Sequence, residues 1–477
     1  MTGPKVDIGR DLVCFVAKQA TYQISDVAGE SYPEAADALR VITGSAGGTI
    51  PFAMREDKFG TATAVPGIRQ KRTAEGSLEG YVMPSGTRTT APDADELLTG
   101  GGWSKVDLSA SSTTVAGGAS TQTRVDLTSS AGLQVGGCII VERGPGSGEY
   151  EMRRISGVDT AGTDVTVEPA LTFPPSAGAE AKGGIAYIPN DDRDTAEDSL
   201  ALWMLNNNSA DRIGGWAPGS FGFTLGGEDA ARVTVSGTGR RHDRLFTTQL
   251  DGAILVGDPT MTVQAGLASA GNLENTYWQL GDEVVKVTQT TGTTWSIDRA
   301  QLGSVASGHS DGAAVTPYRP VGIYAGEPVP ATSGQAVMTP VGQGFPIEIQ
   351  INNASLDCGL GLAYREDELG DNYKAAGYVM SQREIRATLS GWTLKDSNMI
   401  AASFAWLDEN VSGNNSQQMV VGVVTGQTEG LMFGWVAPSL RMEDLSLDRG
   451  AEEVTLDLTG MCEGTAAGAD EIVLMFG

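Results

Sequence analysis

Only two histidines occur in the 477 residues, His242 in "GRRHDRL" and His309 in "SGHSDG". No HxH or HExxH spacing accompanies them, so neither a zinc site nor a histidine-based triad is spelled locally. Cys14, Cys138, Cys358 and Cys462 stand more than 100 residues apart and form no CxxC. They read as reduced, buried thiols. "GPGSGE" (144–149) is rich in glycine, but neither a lysine nor a helix start follows. It reads as a hairpin turn rather than a phosphate cradle. "DDRDTAED" (191–198) lacks the spacing and central glycine of a calcium loop and reads as a solvated linker. A glycosidase-type pair of carboxylates needs two acids brought together in space, and no acid is singled out by its neighbours. No catalytic, cofactor-binding or metal-binding residue is therefore assigned, and an enzyme is not expected.

The most distinctive charged stretch occurs twice. "AMREDKFG" (53–60) and "AYREDELG" (363–370) share Ala, Arg, Glu, Asp and Gly in register, 310 residues apart. Arg55, Glu56, Asp57 and Arg365, Glu366, Asp367 are candidate interface residues. Each trio is suited either to an ion-paired turn within its own repeat or to pairing across a seam with a neighbour. No histidine lies near either octet, which argues against catalysis.

The elements around the octets repeat as well. "SLEGYVM" (77–83) faces "TLSGWTL" (388–394) at an offset of 311. "PDADELLTGGGW" (92–103) and "DSNMIAASFAWLDE" (396–409) both read as short helices with acidic or polar starts. "SLALWMLNNNSADRIGGWAP" (199–218) faces "QMVVGVVTGQTEGLMFGWVAP" (418–438), with Trp216 and Trp435 as anchors. "ARVTVSGTG" (231–239) faces "EEVTLDLTG" (452–460), and both alternate with the period of a half-buried strand. The offset falls from 311 to 219 along this series, so the first repeat carries 92 extra residues.

Those extra residues read as an inserted module. The expected organisation is a first, discontinuous domain over 1–103 and 191–253, interrupted by a β module at 104–190. A second small β module follows at 254–322, then a second domain at 323–477. "GTDVTVEPAL" and "GTTWSIDRAQL" suggest that the two modules resemble each other. Insertions at strand junctions sit on outer surfaces. The fold class is thus mainly β: two tandem β-sandwich or barrel domains, each with one short helix, plus two small β modules. Composition agrees, with 64 glycines and only 6% aromatic residues, as tight turns between short strands require.

Net charge is −27, which opposes any role in wrapping nucleic acid, because phosphates are repelled. It suits a surface past which nucleic acid slides, and equally simple solubility. The start, "MTGPKVDIGRD", has no signal-peptide pattern, and no apolar run is long enough to span a bilayer. Synthesis and folding in a cytoplasm are expected.

The order of elements resembles the tail tube proteins of long-tailed bacteriophages. The residues that carry the resemblance are "GSLEGYVMPSGT…APDADELLTGGGW", "SFGFTLGGEDAARVTVSGTG" and "WVAPSLRMEDLSLDRGAEEVTLDLTG…GADEIVLMF". It covers the two repeats, about two-thirds of the chain, and leaves the modules unassigned. It implies tail-tube-type domains whose strands join into rings, and rings that stack into a hollow tube for the genome. Two fused domains imply three chains per ring with pseudo-sixfold symmetry. The implied partners are further copies of the chain, other tail proteins (tape measure, tail terminator and distal tail) and double-stranded DNA in passage without specific binding. No membrane or cofactor is implied, and the implied location is the virion tail, assembled from protein made in the bacterial host cytoplasm. The Gly-rich segment 26–70 shows little periodicity; it and segment 323–360 are expected to contact adjacent rings, so that deleting 41–50 would impair stacking and spare the fold. Two other readings fit the sequence: another tail structural protein such as a fibre or adhesin of β modules, and a β-rich hydrolase.

Overall fold

Alternating stretches such as "RVTVSG" (232–237) form strands paired on both sides, and the computed structural model is mainly β. It describes residues 12–18, 32–49, 52–53, 68–69, 73–117, 120–159, 161–190, 200–226, 229–264, 273–324, 326–331, 334–340, 347–349, 351–364, 378–392, 419–448, 455–464 and 470–477. The first repeat opens with β1 (Val13–Lys18), β2 (Ala38–Leu39), β3 (Val41–Thr49), β4 (Phe52–Ala53), β5 (Ile68–Arg69), β6 (Thr73–Tyr81), α1 (Asp95–Thr99) and β7 (Trp103–Asp107). A separate sheet follows: β8 (Ser112–Thr114), β9 (Arg124–Asp126), β10 (Cys138–Glu142), β11 (Tyr150–Val158), β12 (Asp164–Glu168) and β13 (Glu180–Gly183). The first repeat resumes with β14 (Ile185–Pro189), β15 (Leu200–Leu205), β16 (Ser209–Gly226), β17 (Arg232–Gly239) and β18 (Arg241–Phe246). A second separate sheet holds β19 (Thr248–Gln249), β20 (Thr260–Thr262), β21 (Tyr277–Leu280), β22 (Glu283–Thr291), β23 (Thr294–Asp298) and β24 (Ala314–Pro317). The second repeat comprises β25 (Gln335–Pro340), β26 (Ile347–Ile349), β27 (Asn353–Gly359), β28 (Leu362–Tyr364), β29 (Tyr378–Met380), β30 (Glu384–Trp392), β31 (Met419–Thr425), β32 (Phe433–Asp448), β33 (Thr455–Cys462) and β34 (Val473–Phe476).

The pairings of the two repeats correspond strand for strand. In the first, β3 pairs with β6, β6 with β17, and β17 with the C-terminal part of β16. The N-terminal part of β16 lies between β15 and β18, β1 pairs with β15, and β2 with β1. In the second, β27, β30, β33 and β32 form the same ladder, and β31, β25, β26 and β34 take the places of β15, β1, β2 and β18. Even the short pairs β4–β5 and β28–β29 correspond. Registers fix the correspondence residue by residue. Leu78 stands opposite Val235, and Leu389 opposite Leu458. Val235 is therefore the counterpart of Leu458, two residues further along than the sequence match of "ARVTVSGTG" with "EEVTLDLTG" implies. Strand alternation has period two, so a slip of two leaves the pattern of inward and outward residues unchanged and invisible in sequence.

Segment 41–50, expected to serve stacking and to be dispensable for the fold, contains β3, which pairs with β6 along its whole length. Its periodicity is masked by glycine at positions that face inward. A Cβ on Gly48 would lie 2.9 Å from His242, and one on Gly44 3.1 Å from Met204. Deleting 41–50 removes an edge strand of the fold, so the expectation that the fold is spared is corrected.

Between the layers lies one core shared by both repeats. Leu78, Val235, Phe221 and Phe223 from the first join Leu356, Leu389, Trp435 and Phe433 from the second, with Trp216 fully buried among them. Each such side chain stabilises the fold by roughly 1.5–3 kcal/mol through its burial. Helix α1 contributes Leu97 and Leu98 to this core. Asp95 and Glu96 occupy its first turn, where carboxylates offset the helix dipole, and Asp95 also accepts a hydrogen bond from the Tyr187 hydroxyl at 2.6 Å. The second expected helix, 396–409, lies outside the described residues.

The two separate sheets have the same order, β8-β13-β10-β11-β12-β9 and β19-β24-β21-β22-β23-β20. Both carry a register shift at the same place, after Ile155 and after Val287. The first is carried on β7 and β14, which pair with each other, while β14 also pairs with β34 of the second repeat. It covers that repeat's outer face: Ile140 and Met152 pack on Val420, Val436 and Met475. The second sheet covers the corresponding face of the first repeat, built from Phe15, Ala201, Trp203 and Leu245. Each module thus shields an apolar sheet face of one repeat, and the module inserted in the first repeat shields the second.

Candidate assembly surfaces

The repeats meet along one antiparallel seam between β16 and β27, from Ser220 opposite Gly359 to Gly226 opposite Asn353. The seam makes a continuous eight-stranded ladder, β3-β6-β17-β16-β27-β30-β33-β32. Among the described residues, no strand pairs with the outer edge of β3, or with the edge of β32 that corresponds to the seam edge of β16. Free N–H and C=O groups along a strand edge are a template for another strand.

The face of this ladder turned away from the core is a polar wall. Ser45, Thr49, Thr73, Ser77, Ser236 and Thr238 line a trough of about 590 Å³ on its first half. Ser45 and Ser77 hydroxyls lie 2.7 Å apart, and Thr388 and Thr459 hydroxyls 3.3 Å apart. Acidic residues on the wall include Glu75, Glu79, Asp357, Glu384 and Asp457, against Arg232, Arg386 and Arg441, the last paired with Glu463 at 2.9 Å. Arg232 and Arg386 are each clamped by two carboxylates. Arg232 lies 3.1 Å from Glu79 and also pairs with Asp229. Arg386 lies 2.8 Å from Glu384 and also pairs with Glu443. The carboxylate hydrogen bonds raise the affinity of each guanidinium for its proton, and each positive charge is answered locally.

The groups with chemical potential are occupied structurally. His242 lies 2.8 Å from Asp211, whose carboxylate also accepts Arg244 at 2.6 Å. His309 lies 2.8 Å from Glu283, a fully buried carboxylate that also accepts two guanidinium N–H groups of Arg299 and the amides of Ala300 and Ser307. Burial pushes the Glu283 carboxyl up, but these hydrogen bonds outweigh it and hold it at about 2. Its counterpart in the other module, Glu151, likewise accepts from Arg153 and from the Thr172 amide. A carboxylate saturated in this way pins the following loop and has no free acceptor for a general-base role. The four cysteines are free and buried, and burial pushes the thiols of Cys14 and Cys462 to about 12, which makes them inert. "GPGSGE" is the turn between β10 and β11, as its glycines suggest, with Gly146 and Gly148 at positive φ.

Arg55, Glu56, Asp57, Arg365, Glu366 and Asp367 lie outside the described residues, as does 191–198. The two octets do occupy the same place in the topology, in the connections from β4 to β5 and from β28 to β29. Among the described residues no cluster of potential metal ligands occurs, and no helix is long and apolar enough to cross a membrane. The seam, the open edges and the clamped wall were not singled out by sequence; the repeat was the available signal, since a duplicated ladder implies equivalent edges. No family model matches this chain, and no curated protein matches it.

Proposed function

We propose that this chain is a structural protein of a hollow tube, the tail tube of a long-tailed bacteriophage. Molecules join into rings, with three chains and pseudo-sixfold symmetry per ring, and the rings stack into a conduit for double-stranded DNA. The observation that carries this reading is the β16–β27 seam, which joins two equivalent units side by side in one sheet and, among the described residues, leaves the equivalent edges open at both ends. The layering supports it: a hydroxyl-rich, net acidic wall on one side, apolar-backed modules on the other. In this arrangement the wall faces the lumen, where acids and clamped arginines let phosphates pass without sticking. The two tandem units are tail-tube-type domains, the molecule resides in the virion tail, and its partners are further copies and the other tail proteins.

Electron microscopy of the purified protein tests the proposal. Hollow tubes of stacked rings, with the β3–β32 sheet lining the bore, are expected. Slender fibres or dispersed monomers under all assembly conditions would overturn it in favour of a fibre or adhesin.

A further inference from the structure

The seam inside the chain is a template for one between chains. We infer that the open edge of β32 in one molecule pairs antiparallel with the open edge of β3 in a second, with Asp444 opposite Thr49, Ser446 opposite Gly47 and Asp448 opposite Ser45. This rests on the self-assembly reading above and adds to it the partner edge and the register.

Two internal correspondences fix the register. First, Gly44 stands opposite Leu78 and Ala354 opposite Leu389, the counterpart leucines of the two repeats. Ser45, Gly47 and Thr49 are therefore the counterparts of Ser355, Asp357 and Gly359. Second, the β16–β17 ladder shifts register between Pro218 and Ser220, and the β32–β33 ladder between Met442 and Asp444. Ser220, Gly222 and Thr224 are therefore the counterparts of Asp444, Ser446 and Asp448. Within the chain, Ser220 faces Gly359, Gly222 faces Asp357 and Thr224 faces Ser355. Transposing each partner gives the intermolecular pairs.

The edge of β3 is built for close approach. Gly47 is exposed, and a Cβ placed on it meets nothing within 4 Å. The contact is heterologous, one edge meeting a different edge, so repeating it propagates in one direction and closes into a ring when the rotation permits. The joint inside the chain has two further fastenings. β14 pairs with β34, and the linker is held by Ala231 N–H donating to Val329 O and Ala331 N–H to Asp229 O, both at 2.9 Å. The joint between chains has no covalent linker across it, so assemblies come apart there first.

The test is cysteine cross-linking of full-length chains, with wild type and its four buried thiols as the blank. A mixture of Gly47→Cys and Ser446→Cys chains is expected to give disulfide-linked dimers on mild oxidation, and neither variant alone should do so efficiently. The double variant should give a covalent series ending at three chains. A mixture of Gly47→Cys and Asp444→Cys reports a ladder slipped by two residues and should link at least tenfold more slowly. Tubes without the Gly47–Ser446 link, or with the slipped link preferred, overturn the register and leave the tube reading standing. The expected link in assemblies that are not tubes upholds the register and overturns the tube. Neither assembly nor linkage overturns both.

Discussion

Phe223 of the first repeat stands directly opposite Leu356 of the second, and both side chains are buried in the common core. The two repeats are thus fused through hydrophobic contact as well as through main-chain pairing. Truncating Leu356 to alanine should cost about 2–5 kcal/mol and Phe223 to alanine about 3–5 kcal/mol. The double variant should cost less than the sum, because the residues touch. Denaturant unfolding of the four proteins measures the coupling; strict additivity would mean that the seam contributes main-chain bonds alone.

Glu283 gives the second module an acid-sensitive fastening. Its folded pKa of about 2 lies below the ordinary 4.5, so its stabilisation is fully present above pH 4.5 and is lost as pH falls towards 2. Trp278 and Trp295, fully buried in the same module, report its opening by fluorescence. Glu283→Ala should lower stability by about 3–5 kcal/mol by leaving Arg299 unpaired, and should abolish this acid transition. An unchanged acid profile in the variant would assign the transition to other carboxylates.

Freeing a wall arginine should make the surface sticky. Glu384→Gln with Glu443→Gln removes both carboxylates that clamp Arg386. Exposed pairs contribute about 0–1 kcal/mol, so the melting temperature should barely move. DNA retention should rise, with a salt slope of roughly −0.9 for each phosphate engaged. Filter retention of DNA across a salt series reads the effect, and retention equal to wild type would show that the clamps do not govern adhesion.

The first module should prove to be more than an ornament. Replacing 112–183 by a short turn keeps β7 and β14 but uncovers Val420, Val436, Val473 and Met475. An exposed apolar patch of this kind promotes association. Increased binding of an apolar dye and earlier aggregation on heating are expected; a monodisperse protein of unchanged stability would return the module to pure decoration.

The sequence by itself determined the all-important repetition. Octets, tryptophan anchors and alternating strands are local patterns, and local patterns follow from side-chain periodicity that any reader of the chain can count. It also determined the absence of spelled-out chemistry, since metal and nucleophile motifs need particular residues at particular spacings. Tertiary structure alone decided the rest. Glycines facing inward at Gly44 and Gly48 erase the alternation of β3, so only its pairing with β6 makes it a strand. The two-residue offset between Val235 and Leu458 is silent in a period-two pattern. Which edge meets which, and which repeat each module shields, depend on contacts between residues more than a hundred positions apart, such as Phe221 with Cys358 and Tyr187 with Leu474. No local spacing encodes such contacts, because they arise only when the whole chain closes on its core.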